Sequence, residues 1–130
     1  MVCLDTSFLV DFLRGRKDAV EFLTDLQESS EAITVAAPSV FELVEAAEIA
    51  RSEKEKAVIH ELVSSLAVLP LDSETAWAAG RLSAELIFAG EPIGQMDTLI
   101  GAIAHHHGEP IVSKNIKHFE RIPELRVQEY

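Results

Sequence analysis

The sequence predicts a single α/β domain, residues 1–130, in which a mainly parallel sheet is covered by helices on both faces. Three observations carry this. Short apolar runs alternate with stretches of helical spacing from one end of the chain to the other. The runs are apolar throughout rather than alternately polar, as in strands buried on both faces. The 130 residues and 48% hydrophobic content suffice for one core and not comfortably for two.

The elements follow in order. Residues 2–4 form a short apolar strand ended by Asp5-Thr6-Ser7, all good helix N-caps. Phe8, Leu9, Phe12 and Leu13 then recur at helical spacing until Arg14-Gly15-Arg16, and Val20, Phe22, Leu23 and Leu26 mark a second helix. Residues 33–36 are β-branched enough to read as a strand. Pro38-Ser39 opens a third helix to about Ala50. Ser52-Glu53-Lys54-Glu55 has capping-box spacing and opens a fourth, to about Leu66. A strand is expected at 67–71. Asp72-Ser73 caps a helix bearing Ala76, Trp77, Ala79, Leu82 and Leu86, and Gly90 to Gly94 form a loop. A further helix runs over 97–106 and stops at Gly108. Ile111-Val112 is a strand, Ser113-Lys114-Asn115 leads into a helical turn ending at Phe119, and 126–129 form a last strand.

Composition narrows the function. A single cysteine, Cys3, allows no intramolecular disulfide, and its apolar setting predicts a buried, inert thiol. No apolar run approaches the ~20 residues of a membrane-spanning helix. The N-terminus has no basic opening, and Asp5 and Asp11 interrupt its apolar stretch, so a signal peptide is not expected and the cytoplasm is the expected location. A net charge of −11 argues against general adhesion to nucleic acid or anionic lipid. Any nucleic-acid substrate must be met by a local basic patch, a metal ion or both.

Three carboxylates, Asp5, Glu42 and Asp97, sit at seams between an apolar run or loop and a helix. Two readings are open for each. Asp5 could simply cap the first helix. Glu42 could close a capping box on Ser39. Asp97 could favour the N-terminus of its helix, where negative charge is stabilised by up to ~1 kcal/mol. Alternatively, the three converge. Asp97 precedes a nearly all-apolar helix and Asp5 ends a buried strand, so both would lie at the edge of the core. There a charge is costly unless paired or metal-bound. Carboxylates brought close raise one another's pKa values, and a divalent cation relieves that conflict. Hard oxygen ligands suit Mg²⁺ or Mn²⁺, which commonly act on phosphate esters. Asn115 follows a strand in the same manner as Asp5. In open parallel sheets, sites form beyond the carboxyl ends of the strands, which places both residues in one crevice.

Four segments carry a family resemblance. Leu4-Asp5-Thr6-Ser7-Phe8-Leu9 resembles the opening motif of PIN domains, specifically of VapC-type toxins. Ser39-Val40-Phe41-Glu42-Leu43 is similar to their second motif, and Pro92-Ile93-Gly94-Gln95-Met96-Asp97-Thr98-Leu99-Ile100-Gly101-Ala102 to the third. Ile111-Val112-Ser113-Lys114-Asn115 with Phe119, followed by Ile122-Pro123-Glu124-Leu125, resembles the C-terminal motif. The four occur in the family's order across the chain. The resemblance implies a three-layer α/β/α PIN fold with sheet order 3-2-1-4-5. It implies an endoribonuclease, dependent on Mg²⁺ or Mn²⁺, that hydrolyses RNA phosphodiesters with metal-activated water. Asp5 and Asp97 would bind the metal, and Glu42 would complete the acidic pocket through water or as proton acceptor. Asn115 stands where many members have Asp. It brings no charge, which argues against a second tightly bound metal. The resemblance also implies a homodimer inhibited by a small VapB-like antitoxin.

Other features read more plainly. Thr6 and Ser113 are expected to support the site rather than act as nucleophiles. Arg14, Arg16 and Lys17, and Lys114, Lys117 and His118, are candidate phosphate contacts or ordinary surface charge. His105-His106-His107 ends a helix, where cationic side chains suit the dipole. Neighbouring helical positions diverge by about 100°, so three imidazoles do not readily share an ion. The rival from another class is a catalytically inactive PIN-like interaction domain, against which the intact Asp5, Glu42 and Asp97 argue. A phosphatase or receiver-type phosphoacceptor would want a second Asp close to Asp5 or a Gly-rich phosphate loop, and neither is present.

Overall fold

The computed structural model describes residues 1–130. The elements are β1 (Val2–Leu4), α1 (Thr6–Leu13), α2 (Lys17–Glu28), β2 (Ile33–Ala36), α3 (Ala37–Ile49), α4 (Glu53–Ser64), β3 (Ala67–Leu69), α5 (Ser73–Phe88), α6 (Gln95–His106), β4 (Ile111–Val112), α7 (Ile116–Phe119) and β5 (Val127–Gln128). The strands form one five-stranded sheet in the order β3-β2-β1-β4-β5. Every neighbouring pair is parallel. The parallel sheet covered on both faces is what the sequence pattern predicts, and the three layers and strand order are those the family resemblance implies.

Strand alternation divides the interior in two. Val2 and Leu4 of β1, Val35 and Val112 face one core, completed by Phe8, Leu9, Ala19, Leu23, Leu43, Ala47 and Ile59 from α1 to α4. Cys3, Ala36 and Ile111 face the other, completed by Leu86, Ile100, Ile103, Ala104, Phe119 and Ile122 from α5 to α7 and the segment after it. Both sides of β1 are therefore sealed, which is why that strand is apolar without alternation. Cys3 is fully buried. Burial pushes its thiol up to about 12, which keeps it unreactive, as expected.

Helix α4 ends two residues before the expected Leu66 and the last strand is trimmed to Val127–Gln128, and three further boundaries differ from the sequence expectation. The third strand stops at Leu69, ahead of Pro70, which has no N–H to offer a ladder. Helix α6 starts at Gln95 with Gly94 as N-cap, so Asp97 lies in its first turn rather than at its cap. Helix α3 starts at Ala37 with Ala36 as N-cap and Pro38 inside the first turn. Ser39 is consequently within the helix and buried, and of the two readings open for Glu42 the capping box on Ser39 does not form. No helix is long and apolar enough to cross a membrane.

For the site, what matters is register. Leu4 pairs with Val112 across β1 and β4. The residues that leave these strands, Asp5 and Ser113, therefore emerge side by side at the carboxyl edge of the sheet. Helix α3 packs against both α1 and α6, bringing the early turns of all three to this edge.

Candidate active site

Asp5 is the anchor. It is the N-cap of α1, its Oδ1 accepting the Phe8 N–H at 2.8 Å, as the capping reading predicts. The Ser7 hydroxyl lies 2.9 and 2.8 Å from its two carboxylate oxygens, and the Ser113 hydroxyl donates to Oδ2. Asp5 is only 3% exposed. Burial pushes its carboxyl above the ordinary range, donors from Ser113, Phe8 and Ser7 pull it down, and the nearby charge of Asp97 raises it further. Asp5 is thus both a helix cap and a buried charge facing a second carboxylate.

The Ser113 hydroxyl also accepts the Asn115 N–H at 2.8 Å, which turns the chain leaving β4 back toward α6. Asn115 is the N-cap of α7 but makes no side-chain cap bond. Its Nδ2 instead donates to Asp97 Oδ2 at 3.0 Å. His118 Nδ1 lies 2.9 Å from the same oxygen. One hydrogen-bonded path therefore joins Asp5, Ser113, Asn115, Asp97 and His118.

Glu42 joins from the other side. The Thr6 hydroxyl lies 2.7 Å from Glu42 Oε1 and 3.0 Å from Ser39 Oγ. With one proton, it donates to the carboxylate and accepts from Ser39. Glu42 is thereby tied to the residue next to Asp5, across the junction of α1 and α3. Thr6 and Ser113 each donate a hydroxyl to one of these carboxylates. The sequence offers His118 only as a candidate phosphate contact, and its approach to Asp97 is a finding of the structure.

The donor set suits a hard divalent cation. No three His, Cys, Asp or Glu side chains form a closed ligand cluster. Mg²⁺ does not need one, because it keeps several waters and binds through one or two carboxylates plus substrate phosphates. Asp5 and Asp97, close enough for one charge to perturb the other, fit that requirement. Asp97 Oδ1 and Glu42 Oε2 accept no hydrogen bond from the protein and keep their lone pairs open.

The cationic clusters are largely engaged. Lys114 pairs with Asp18, lies 3.9 Å from Asp11 and sits over the Tyr130 ring. Arg16 pairs with Asp11 and Lys17 with Glu21. Lys117 and Arg14 remain exposed and make no ion pair. His105 and His106 meet Glu124 and Glu74 at 3.8 and 3.3 Å and share no common centre.

A three-layer α/β/α domain with carboxylates gathered beyond the carboxyl ends of its central parallel strands belongs to the crevice-site class of α/β proteins. Within that class the chain belongs to the PIN domain family, whose sequence profile matches residues 2–125. It is 29% identical over 128 residues to the tRNA(fMet)-specific endonuclease VapC of Salmonella typhimurium, covering 98% of this chain and 96% of that protein. It is 31% identical to a ribonuclease VapC of Haemophilus influenzae over the same shares. Among solved structures, the DNA-bound VapBC of Salmonella typhimurium superposes with a TM-score of 0.85 at 29% identity, covering 99% of this chain and 98% of that one. VapBC2 of Rickettsia felis, bound to a promoter DNA fragment, matches with a TM-score of 0.87 at 24% identity, covering 100% and 99%.

Proposed function

We propose that this chain is a Mg²⁺- or Mn²⁺-dependent endoribonuclease and the toxin of a VapBC-type pair. The observation that carries the reading is the path from Asp5 through Ser113 and Asn115 to Asp97. It presents two carboxylates from distant parts of the sequence at one edge of the sheet. Full-length relatives named as ribonucleases and a tRNA(fMet)-specific endonuclease support the substrate class.

Asp5 and Asp97 would hold the cation. When bound, it would supply an activated water and stabilise negative charge on the phosphoryl oxygens. The protein's own groups do the rest. Thr6 holds Glu42 Oε1 and leaves Oε2 free to accept a proton from an attacking water. Asn115 holds Asp97 without adding charge. Uncompensated carboxylates repel a phosphodiester, and a bound cation would offset that repulsion.

Two surfaces support the expected partners. An open groove of about 460 Å³ between α1, α3 and α4 is lined by Val10, Leu13, Leu43, Ala47, Val58 and Ile59, with Arg14, Lys54 and Glu55 at its rim. Its apolar floor suits an amphipathic antitoxin helix. A basic antitoxin segment would be drawn to a protein of charge −11. On α5, Trp77, Ile87 and Phe88 are 72%, 59% and 88% exposed, a surface suited to a homodimer.

The test is cleavage of RNA by purified protein with added Mg²⁺ or Mn²⁺ and with chelator. Asp5→Asn and Asp97→Asn should each abolish metal-dependent cleavage. Cleavage by either at the wild-type rate overturns the assignment.

A further inference from the structure

The structure assigns a role to His118: it is the positioning residue that aims Asp97. The inference rests on the reading of Asp97 as a cation ligand. A carboxylate oxygen only accepts hydrogen bonds, so the 2.9 Å approach of Nδ1 to Asp97 Oδ2 places a proton on Nδ1, and Nε2 makes no hydrogen bond within the protein. Asn115 Nδ2 donates to the same oxygen at 3.0 Å. The 2.9 Å separation of the two nitrogens follows from their sharing one acceptor. With both donors on Oδ2, the carboxylate is held in one rotamer and offers Oδ1 alone to the crevice.

The support is rigid. Phe119, next to His118, is fully buried, and Ile122 is 3% exposed. Both seat against Gly101, one turn beyond Asp97 on α6. A Cβ built there would lie 2.2 Å from Ile122 Cδ1 and 3.5 Å from Phe119 Cδ1. His118 is therefore carried by a segment locked onto the same helix that carries its acceptor. The imidazole itself is 41% exposed and makes no other polar contact, so the fold does not depend on it. Partners of this kind, which orient a metal-binding group through its second atom, change metal affinity or activity by 10–100-fold when removed.

The experiment compares Mn²⁺ affinity by calorimetry and RNA cleavage for wild type, His118→Leu and His118→Asn, with melting temperatures as a folding control. The Asn amide restores a donor near the position of Nδ1. His118→Leu should weaken Mn²⁺ binding about tenfold or more and lower kcat with little change in KM, whereas His118→Asn should stay within about threefold of wild type on the same scale. Should the Leu variant fail to fold, His118→Ala carries the same expectation. In the metal-free protein, nitrogen-15 spectra should place the proton of the neutral His118 ring on Nδ1. Wild-type Mn²⁺ affinity and kcat in His118→Leu, equal loss in the Leu and Asn variants, or an Nε2–H tautomer overturns the role of His118 alone. A wild-type protein that neither binds Mn²⁺ nor cleaves RNA overturns the metal-site reading and this inference with it.

Discussion

Ser113 donates its hydroxyl to Asp5, and the two residues are the first to leave β4 and β1, neighbours in the sheet. The register Leu4 to Val112 makes that contact automatic once the strands pair. The same hydroxyl accepts the Asn115 N–H, so one buried oxygen sets both the first carboxylate and the turn that delivers Asn115 to Asp97. Folding of the sheet and assembly of the site are thus one event.

Ser113→Ala should cost about 2 kcal/mol, the range for losing a hydrogen bond to a charged, buried acceptor. It leaves Asp5 Oδ2 short of a donor and the Asn115 N–H without its acceptor. Urea denaturation of the metal-free variant measures this. An unchanged midpoint would mean that Ser113 supports neither group.

The buried charge of Asp5 also fixes a direction of pH dependence. Burial raises its carboxyl above the ordinary range, so between the ordinary and the raised value the native state holds more protons than the unfolded chain. Stability contributed by this group is therefore greatest at low pH and falls as pH rises through that window. Asp5→Asn removes the term. In chelator, the variant should gain on wild type as pH rises from about 4, near the ordinary carboxylate value, to neutrality. Urea midpoints across that range test the sign; a wild type that gains on the variant as pH rises contradicts it.

The strand ends were legible because a strand buried on both faces is a short apolar run, and Val2, Cys3 and Leu4 end abruptly at Asp5. The role of Asn115 as partner of Asp97, and that of His118, was not. Helix α7 has only four residues, too few for any periodicity to state which side chains share a face. Glu42 was ambiguous for a different reason. Ser39 and Glu42 have the spacing of a capping box, but Ala36 and Pro38 start the helix earlier, and Glu42 is held by Thr6 from another helix. The partners of Lys114, in Asp18 and Tyr130, come from both ends of the chain, and no local pattern encodes such a contact.

Thr6 and Glu42 separate positioning from metal binding. Thr6→Val keeps the β-branched shape and removes the hydroxyl that lies 2.7 Å from Glu42 Oε1. If Glu42 accepts a proton rather than binding the cation directly, the variant should lose roughly tenfold in cleavage rate, with Mn²⁺ affinity within about threefold of wild type. Calorimetry and single-turnover cleavage together decide it. A matched tenfold loss in affinity would make Glu42 a direct ligand.

Gly101 tests whether the approach of α7 to α6 is what holds the site. A side chain at this position meets Ile122 Cδ1 at 2.2 Å, far inside van der Waals contact, with Phe119 and Leu125 at 3.5 and 3.6 Å behind it. Val at this site must displace the buried Ile122 side chain, which packs beside Phe119 and Leu125. Overpacking of this sort costs about 1–3 kcal/mol, and a gain in helix propensity of a few tenths of a kcal/mol does not offset it. Ile122 belongs to the segment that carries His118 and follows Asn115, so Gly101→Val should also weaken Mn²⁺ binding, although Gly101 touches no carboxylate. The measurement is denaturation and Mn²⁺ calorimetry on one preparation. A loss of stability with wild-type Mn²⁺ affinity would show that Asp97 holds its position without the segment packed against its helix.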